Sequence, residues 1–210
     1  MKAEPLGDSA LILRELSRPA YEVAAAIQDA SISGVIEAVA SYETVGIYFD
    51  PDKFDLNALL AFRTESRLQI GKTHVIPVCY EFGEDLDEVA EATGLSTKEV
   101  ARLHTSIPYK CYAVGFCPGF PYLGYLPEAL ASIPRRPSPR VRIHPGSVAI
   151  AGRQTGIYPI ERPGGWSILG RTPLCIADVE SAYFPIAAGD EVQFRAIDRA
   201  EYDDLVGNRL

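Results

Sequence analysis

GFCPGFPYLGYLPEAL, residues 115–130, and PSPRVRIHPGSVAIAGRQTGIYPIERPGGWSILGRTP, residues 137–173, hold Gly, Pro, aromatic, Arg and hydroxyl residues far more densely than a packed core requires. A helix does not tolerate so many Gly and Pro breaks, and a plain strand run has no use for them. The two stretches therefore read as rigid loops hung on short strands. Such loops preset the backbone and leave Arg140, Ser147, Gln154, Tyr158, Trp166 and Arg171 as polar or amphipathic groups facing a cleft or a partner. The plainer reading is a turn-rich β-barrel whose Gly and Pro only make corners.

Working outward, the helical period fails from Tyr109 on. Strands are predicted over 109–116, 147–151, 157–160, 167–169 and 191–197, with Gly189-Asp190 as a hairpin-type turn, which suggests a closed or nearly closed barrel. Before it, Asp85 to Thr93 and Ser96 to His104 form two short helices around Gly94-Leu95, with Ser96 and Glu99 spaced as a capping box. EVAEATGLSTKEVARL resembles a DNA-reading helix-turn-helix, but its second helix offers only Lys98 and Arg102 while the first carries four acidic groups, so it reads as a packed connector. The N-terminal part gives a strand at 10–16, a helix capped by Ser17 with Pro19 in its first turn, strands at 35–42 and 44–49, a helix from Leu56 to Arg63 capped by Asp55, and a strand at 75–80. That order predicts an α+β chain: a ferredoxin-like βαββαβ domain over 1–82, then the helical connector and barrel over 83–210.

The 210 residues can bury one or two real cores, and the net charge of −8 excludes non-specific nucleic-acid binding and anionic membrane surfaces. No apolar run approaches the ~20 residues that span a bilayer, and a cytoplasmic chain is expected. Cys79, Cys111, Cys117 and Cys175 and the scattered His74, His104 and His144 show no metal-ligand spacing, so no metal is expected and the cysteines read as reduced, buried thiols. Cys117 is the one plausible nucleophile, yet no base lies near it in sequence.

Gly119 to Tyr125 has the glycine spacing of a phosphate loop, but Tyr125 stands where the lysine would be. Arg140 and Arg171 are better anion receptors, each aimed by rigid neighbours, and Ser147 and Thr172 can donate to a carbonyl or oxyanion or satisfy turn backbone. Gln154, Tyr158 and Trp166 pair flat bodies with polar tips and suit a ring-like amide or an interface. No complete catalytic set is visible.

GFCPGFPYLGYLP, then SPR, GSVAIAG, QTGIYP, PGGW and GRTP in that order, resemble the family of KipI and the 5-oxoprolinase B subunits, long labelled allophanate hydrolase subunit 1 and related to half of the carboxyltransferase region of urea carboxylase. The likeness extends more weakly through GDSALILREL and IPVCYEFGEDLDEVAEATGLS. Two departures, the Ile143-His144-Pro145 run before Gly146 and Arg162 before PGGW, each add a polar or cationic group. The resemblance implies a cyclophilin-like barrel. It also implies a subunit of the ATP-dependent enzyme that opens 5-oxo-L-proline to glutamate, inactive alone and paired with subunits C and A. ATP with Mg is expected at the level of the complex and none on this chain alone. A KipI-like inhibitor of a sensor histidine kinase and the carboxyltransferase half of a urea or allophanate pathway enzyme are the alternatives. Phe120, Tyr122, Arg140, Ser147, Gln154, Tyr158, Trp166, Arg171 and Thr172 form the candidate substrate-binding or interface set.

Overall fold

The computed structural model describes residues 1–62 and 71–210 and divides into two compact units, Met1–Gly71 and Lys72–Leu210. The expected end of the second N-terminal helix at Arg63 lies outside the described residues.

In the first unit, β1 (Lys2–Pro5), β2 (Ala10–Arg14), β3 (Val35–Ser41) and β4 (Thr44–Phe49) form an antiparallel sheet of order β1-β2-β4-β3. Period-2 alternation buries Leu11 and Leu13 of β2 opposite Ile47 and Val45 of β4, and α1 (Ala20–Asp29) contributes Ala20, Ala24 and Ile27 to the buried set. Pro19 occupies the N-cap position with no side-chain cap, so the expected Ser17 cap is not used. Asp55 does cap α2 (Leu56–Ala61), accepting from the Asn57 N–H at 2.8 Å.

One strand changes place. The strand expected to complete a βαββαβ sheet, 75–80, is found as β5 (Thr73–Cys79) inside the second unit, where it runs parallel to β13 (Glu191–Ile197) along its full length. Lys2–Pro5 holds the edge of the first sheet instead, beside β2. The physical reason is burial: Ile76, Val78 and Cys79 are wholly enclosed, as in a strand covered on both faces, and such a run does not say which sheet will take it.

The second unit is a closed barrel of seven strands in the order β10-β7-β6-β13-β5-β12-β9, where β6 is Tyr109–Val114, β7 Pro121–Gly124, β9 Ser147–Ala151, β10 Gln154–Ile157 and β12 Ser167–Arg171. A two-stranded ribbon, β8 (Arg140–Ile143) with β11 (Arg162–Gly164), stands apart from the barrel sheet. Strand β10 begins before the expected 157–160, and Gly189-Asp190 leads into β13 without making a hairpin, because β13 lies between β5 and β6. Asp190 is a tie rather than a turn tip: its buried carboxylate accepts from the Lys72 and Ala187 N–H groups at 2.8 and 2.9 Å and meets His74 Nε2 at 3.0 Å.

Both faces of β9 are buried. Val148 and Ile150 enter the barrel core with Leu123, Leu169, Val192 and Phe194, whereas Ala149 and Ala151 face outward under a second cluster built on Phe120, Tyr158 and Trp166. Small residues on that outer face leave room for large rings.

Helices α3 (Leu86–Thr93) and α4 (Thr97–His104) are the predicted connector, with the Ser96–Glu99 capping box formed. Helix α4 drives His104 into the core. There Nδ1 lies 2.7 Å from Tyr80 Oη and Nε2 lies 2.8 Å from Thr155 Oγ1, whose proton goes to the Ala149 carbonyl at 3.1 Å. Thr155 therefore accepts from Nε2–H, and Tyr80 donates to Nδ1. Burial holds the imidazole neutral, pushing it down to about 3.

Candidate functional site

The first motif stretch makes a tight loop after β6. Gly115 N–H donates to the Phe120 carbonyl, Cys117 N–H to Gly115, and Phe120 N–H to Cys117, at 3.1, 2.8 and 3.1 Å. This loop holds Phe116 at φ +67°, a left-handed backbone unusual for an aromatic residue and a common mark of functional sites. Phe116 is thrown outward, 58% exposed, while Phe120 turns in and is buried.

Phe120 is the hub of an edge-to-face array. Its ring centroid lies 4.9 Å from Tyr122, 5.1 Å from Tyr158 and 5.5 Å from both Phe116 and Trp166. Each such pair adds ~0.5–1.5 kcal/mol beyond its buried area, which stiffens the wall. Two glycines make the packing possible. A Cβ on Gly156 would stand 2.7 Å from Phe120 Cζ, and one on Gly164 would collide with the Tyr158 hydroxyl and stand 2.7 Å from Ile143 Cδ1.

Beside this array opens a cavity of about 180 Å³, walled by Phe116, Phe120, Tyr122, Tyr158 and Trp166, by Pro139, Gly164 and Gly165, and by Arg135 and Arg136. Its charged lining is wholly cationic. Arg136 is engaged, donating to Asp85 at 2.6 Å and Glu88 at 2.8 Å. Arg135 makes no ion pair among the described residues, nor does Arg162 of β11, which stands beside the Cys117 thiol. Burial raises the Cys117 thiol, with Arg162 acting against it, so Cys117 is held as a protonated packing residue rather than a nucleophile. Burial also raises Tyr122, with Arg135 acting against it, and pushes Tyr158 up to about 12 against a hydrogen bond from the Trp166 backbone and a weaker pull from Arg135. Both phenols keep their protons at neutral pH and stay donors.

A cavity of about 380 Å³ in the first unit is larger, but Arg18, the arginine in its lining, is already paired with Glu22 at 2.7 Å. Size alone does not make it the better site; convergent polar groups do.

Phe120, Tyr122, Tyr158 and Trp166 thus come together as one wall, and the other predicted residues do not join them. Arg140 is already occupied: its guanidinium forks onto Asp85 at 2.6 and 2.9 Å and meets Glu84 at 3.3 Å. Asp85, completely buried as a side chain, also accepts from the Ile168 N–H at 2.7 Å. Arg140 therefore fastens the connector to the ribbon and is no free anion receptor. Thr172 is buried and its hydroxyl accepts from the Leu174 N–H at 3.3 Å, the turn-satisfying use. Gln154 begins β10, outside the cleft lining. Ser147 and Arg171 sit opposite each other across β9 and β12, and both Ser147 Oγ and Arg171 Nε are buried without a hydrogen-bond partner among the described residues. The Arg171 guanidinium lies 5.2 Å from the Phe82 ring centre. His144 is exposed, away from the cleft lining.

Sequence reasoning missed Phe116, Arg135 and Arg136. The available signal was the Pro-flanked double arginine Pro134-Arg135-Arg136-Pro137, stiff on both sides in the manner that drew attention to Arg140. The phosphate-loop spacing is resolved by the backbone: Pro121–Gly124 is barrel strand β7 and Phe120 is buried, leaving no loop to wrap a phosphate. No group of three or more His, Cys, Asp or Glu is placed to hold a metal ion among the described residues, and none of their helices is long and apolar enough to cross a membrane.

Residues 1–185 match the family described as carboxyltransferase domain, subdomain C and D. The chain is 37% identical to the B subunit of 5-oxoprolinase from Bacillus subtilis (strain 168), an alignment covering 95% of this chain and 94% of that one. Among solved structures it is similar to TTHA0988, with TM-score 0.82 and 37% identity over 90% of this chain, and it spans only 40% of that longer chain. It is also similar to the uncharacterized protein PH0987 from Pyrococcus horikoshii, with TM-score 0.58 and 36% identity over 96% of this chain and all of that one.

Proposed function

We propose that this chain, which belongs to the family of carboxyltransferase-domain subdomains C and D, works as the B subunit of a 5-oxoprolinase that hydrolyses 5-oxo-L-proline to L-glutamate. The observation that carries the reading is the near end-to-end match to a relative of that name, with 95% of one chain and 94% of the other aligned. The cleft supports it chemically. Its aromatic walls suit a flat five-membered lactam, and its charged lining is arginine alone, which suits the substrate's carboxylate.

Amide resonance makes a lactam a poor electrophile, so opening it needs activation, and phosphorylation of the amide oxygen by ATP converts that oxygen into a leaving group. The glycine-spaced segment does not fit a nucleotide phosphate: it is a barrel strand with a buried phenylalanine before it. In the proposal, ATP with Mg belongs to a partner subunit or to a site shared with one, subunits A and C being the expected partners. The part played by this chain is to bind and orient the substrate, exclude water from one face of the ring and hold its negative charge.

The test is reconstitution. The purified chain alone and the chain mixed with its neighbouring subunits are given 5-oxo-L-proline and ATP, and phosphate and glutamate are measured. Release only in the mixture is expected. Robust turnover by the isolated chain, or none by a mixture that assembles, would sink the proposal.

A further inference from the structure

We infer that the aromatic cleft is a receptor for a small ring or planar amide bearing one carboxylate, with Arg135 as its principal cation and Arg162, on the strand that carries the cleft-lining Gly164, as a second positive group. This deepens, and rests on, the reading of the chain as a 5-oxoprolinase subunit. Neither arginine is in the set that the sequence motifs select for ligand binding, and their roles follow from what surrounds them.

Among the described residues Arg102, Arg135, Arg153, Arg162 and Arg171 make no ion pair, and of these five Arg135 is the one in the lining of the aromatic cleft. Arg136 and Arg140, from the same proline-rich segment, are both consumed by Asp85. Arg135 is not, although it borders a cleft whose lining contains no carboxylate at all. An exposed arginine is ordinarily neutralised by solvent and by whatever acid lies nearby; here the groups nearest in effect are the Tyr122 and Tyr158 phenols, which burial keeps protonated. A carboxylate entering the cleft would thus meet one guanidinium and two phenol donors and no competing anion. Arg162, two residues before the cleft-lining Gly164 on β11, adds positive charge near the cleft, and the thiol beside it, kept neutral by burial, does not cancel it.

The walls set the rest of the specificity. Phe116 stands exposed in a left-handed backbone and Trp166 is buried, and both pack edge-to-face with Phe120 between them in the cleft wall. A volume of about 180 Å³ suits one small ring. The ligand class is therefore a small ring or planar amide bearing one carboxylate.

Trp166 is the chain's single tryptophan and forms part of the wall, so its fluorescence reads the cleft directly. The full chain is titrated with 5-oxo-L-proline, with 2-pyrrolidinone, which lacks the carboxylate, and with acetate, which lacks the ring. Saturable quenching or shift by 5-oxo-L-proline alone is expected. Arg135→Ala should weaken it at least tenfold, Arg162→Ala by a smaller factor, and Arg135→Lys should recover only part of the loss, because an ammonium lacks the planar fork. Arg195→Ala, at the Glu201 pair outside the cleft, should leave binding unchanged. No saturable response in the wild-type chain, equal binding of 2-pyrrolidinone, or wild-type binding by both Ala variants each overturns the assignment. Turnover in the reconstituted complex separates the two ideas. Normal turnover with both arginines removed would reject the cleft and keep the subunit role; cleft binding with an assembled complex that never opens 5-oxoproline would do the reverse.

Discussion

Arg140 and Arg135 stand five positions apart in one proline-rich segment and have opposite fates. Arg140 spends its fork on the buried Asp85, together with Arg136, and so binds the ribbon to the connector helix. Arg135 borders the aromatic cleft, whose lining holds no acid, and makes no ion pair among the described residues. The difference teaches that stiffness around an arginine says it will be aimed and says nothing about the target. The target is fixed by a carboxylate that lies 51 and 55 positions earlier in the chain than the arginines it captures.

The comparison breaks most visibly at Asp85. Replacing it with Ala strips the buried Ile168 N–H of its acceptor and leaves Arg136 and Arg140 only the exposed Glu88 and Glu84, and should cost up to ~3–5 kcal/mol, the range for removing one partner of a buried ion pair. Urea unfolding of Asp85→Ala checks it, and a loss under ~1 kcal/mol would mean that Arg140 is not committed to structure after all. Gly164→Ala comes next, since the added methyl must displace the Tyr158 hydroxyl or Ile143; a stability loss of up to ~3 kcal/mol and a closed cleft are expected from melting and Trp166 fluorescence.

The buried polar network offers a third contrast through pH. His104 titrates near 6.5 in the unfolded chain and about 3 when folded. The unfolded state therefore takes up the proton first. The stabilisation is fully present above pH 6.5 and is lost progressively as pH falls towards 3. By linkage this group alone should cost about 2 kcal/mol at pH 5 relative to pH 7, and His104→Gln should remove that part of the slope. A wild-type slope that survives the substitution would place the titration elsewhere. The smallest stability effect belongs to Arg135→Ala, within ~0.5 kcal/mol of wild type because nothing in the fold depends on it. A larger loss would give Arg135 a structural partner and erase the contrast with Arg140.

Much of the second unit was legible in sequence because its signals are local. The capping box of Ser96 and Glu99 and the strands at Ser147–Ala151 and Glu191–Ile197 follow from spacing or composition within a few residues. What was not legible depends on distant pairings. The apolar run of β5 reads equally as a strand of either unit until its register with β13, more than a hundred residues later, is known. Arg140 looked free because Asp85 resides on another element. Phe116 was hidden by its left-handed backbone, which no propensity favours for an aromatic side chain.

The most direct test of the cleft as the substrate-binding part of an incomplete active site is kcat/KM for 5-oxo-L-proline in the reconstituted complex, compared between wild type and Arg135→Ala. Melting temperature and subunit binding are followed in the same samples. A fall of at least ~10-fold, equivalent to about 1.4 kcal/mol of transition-state stabilisation, with an unchanged melting temperature and intact assembly, is the predicted result. Wild-type kcat/KM in Arg135→Ala and in the Arg135→Ala/Arg162→Ala double variant would contradict it.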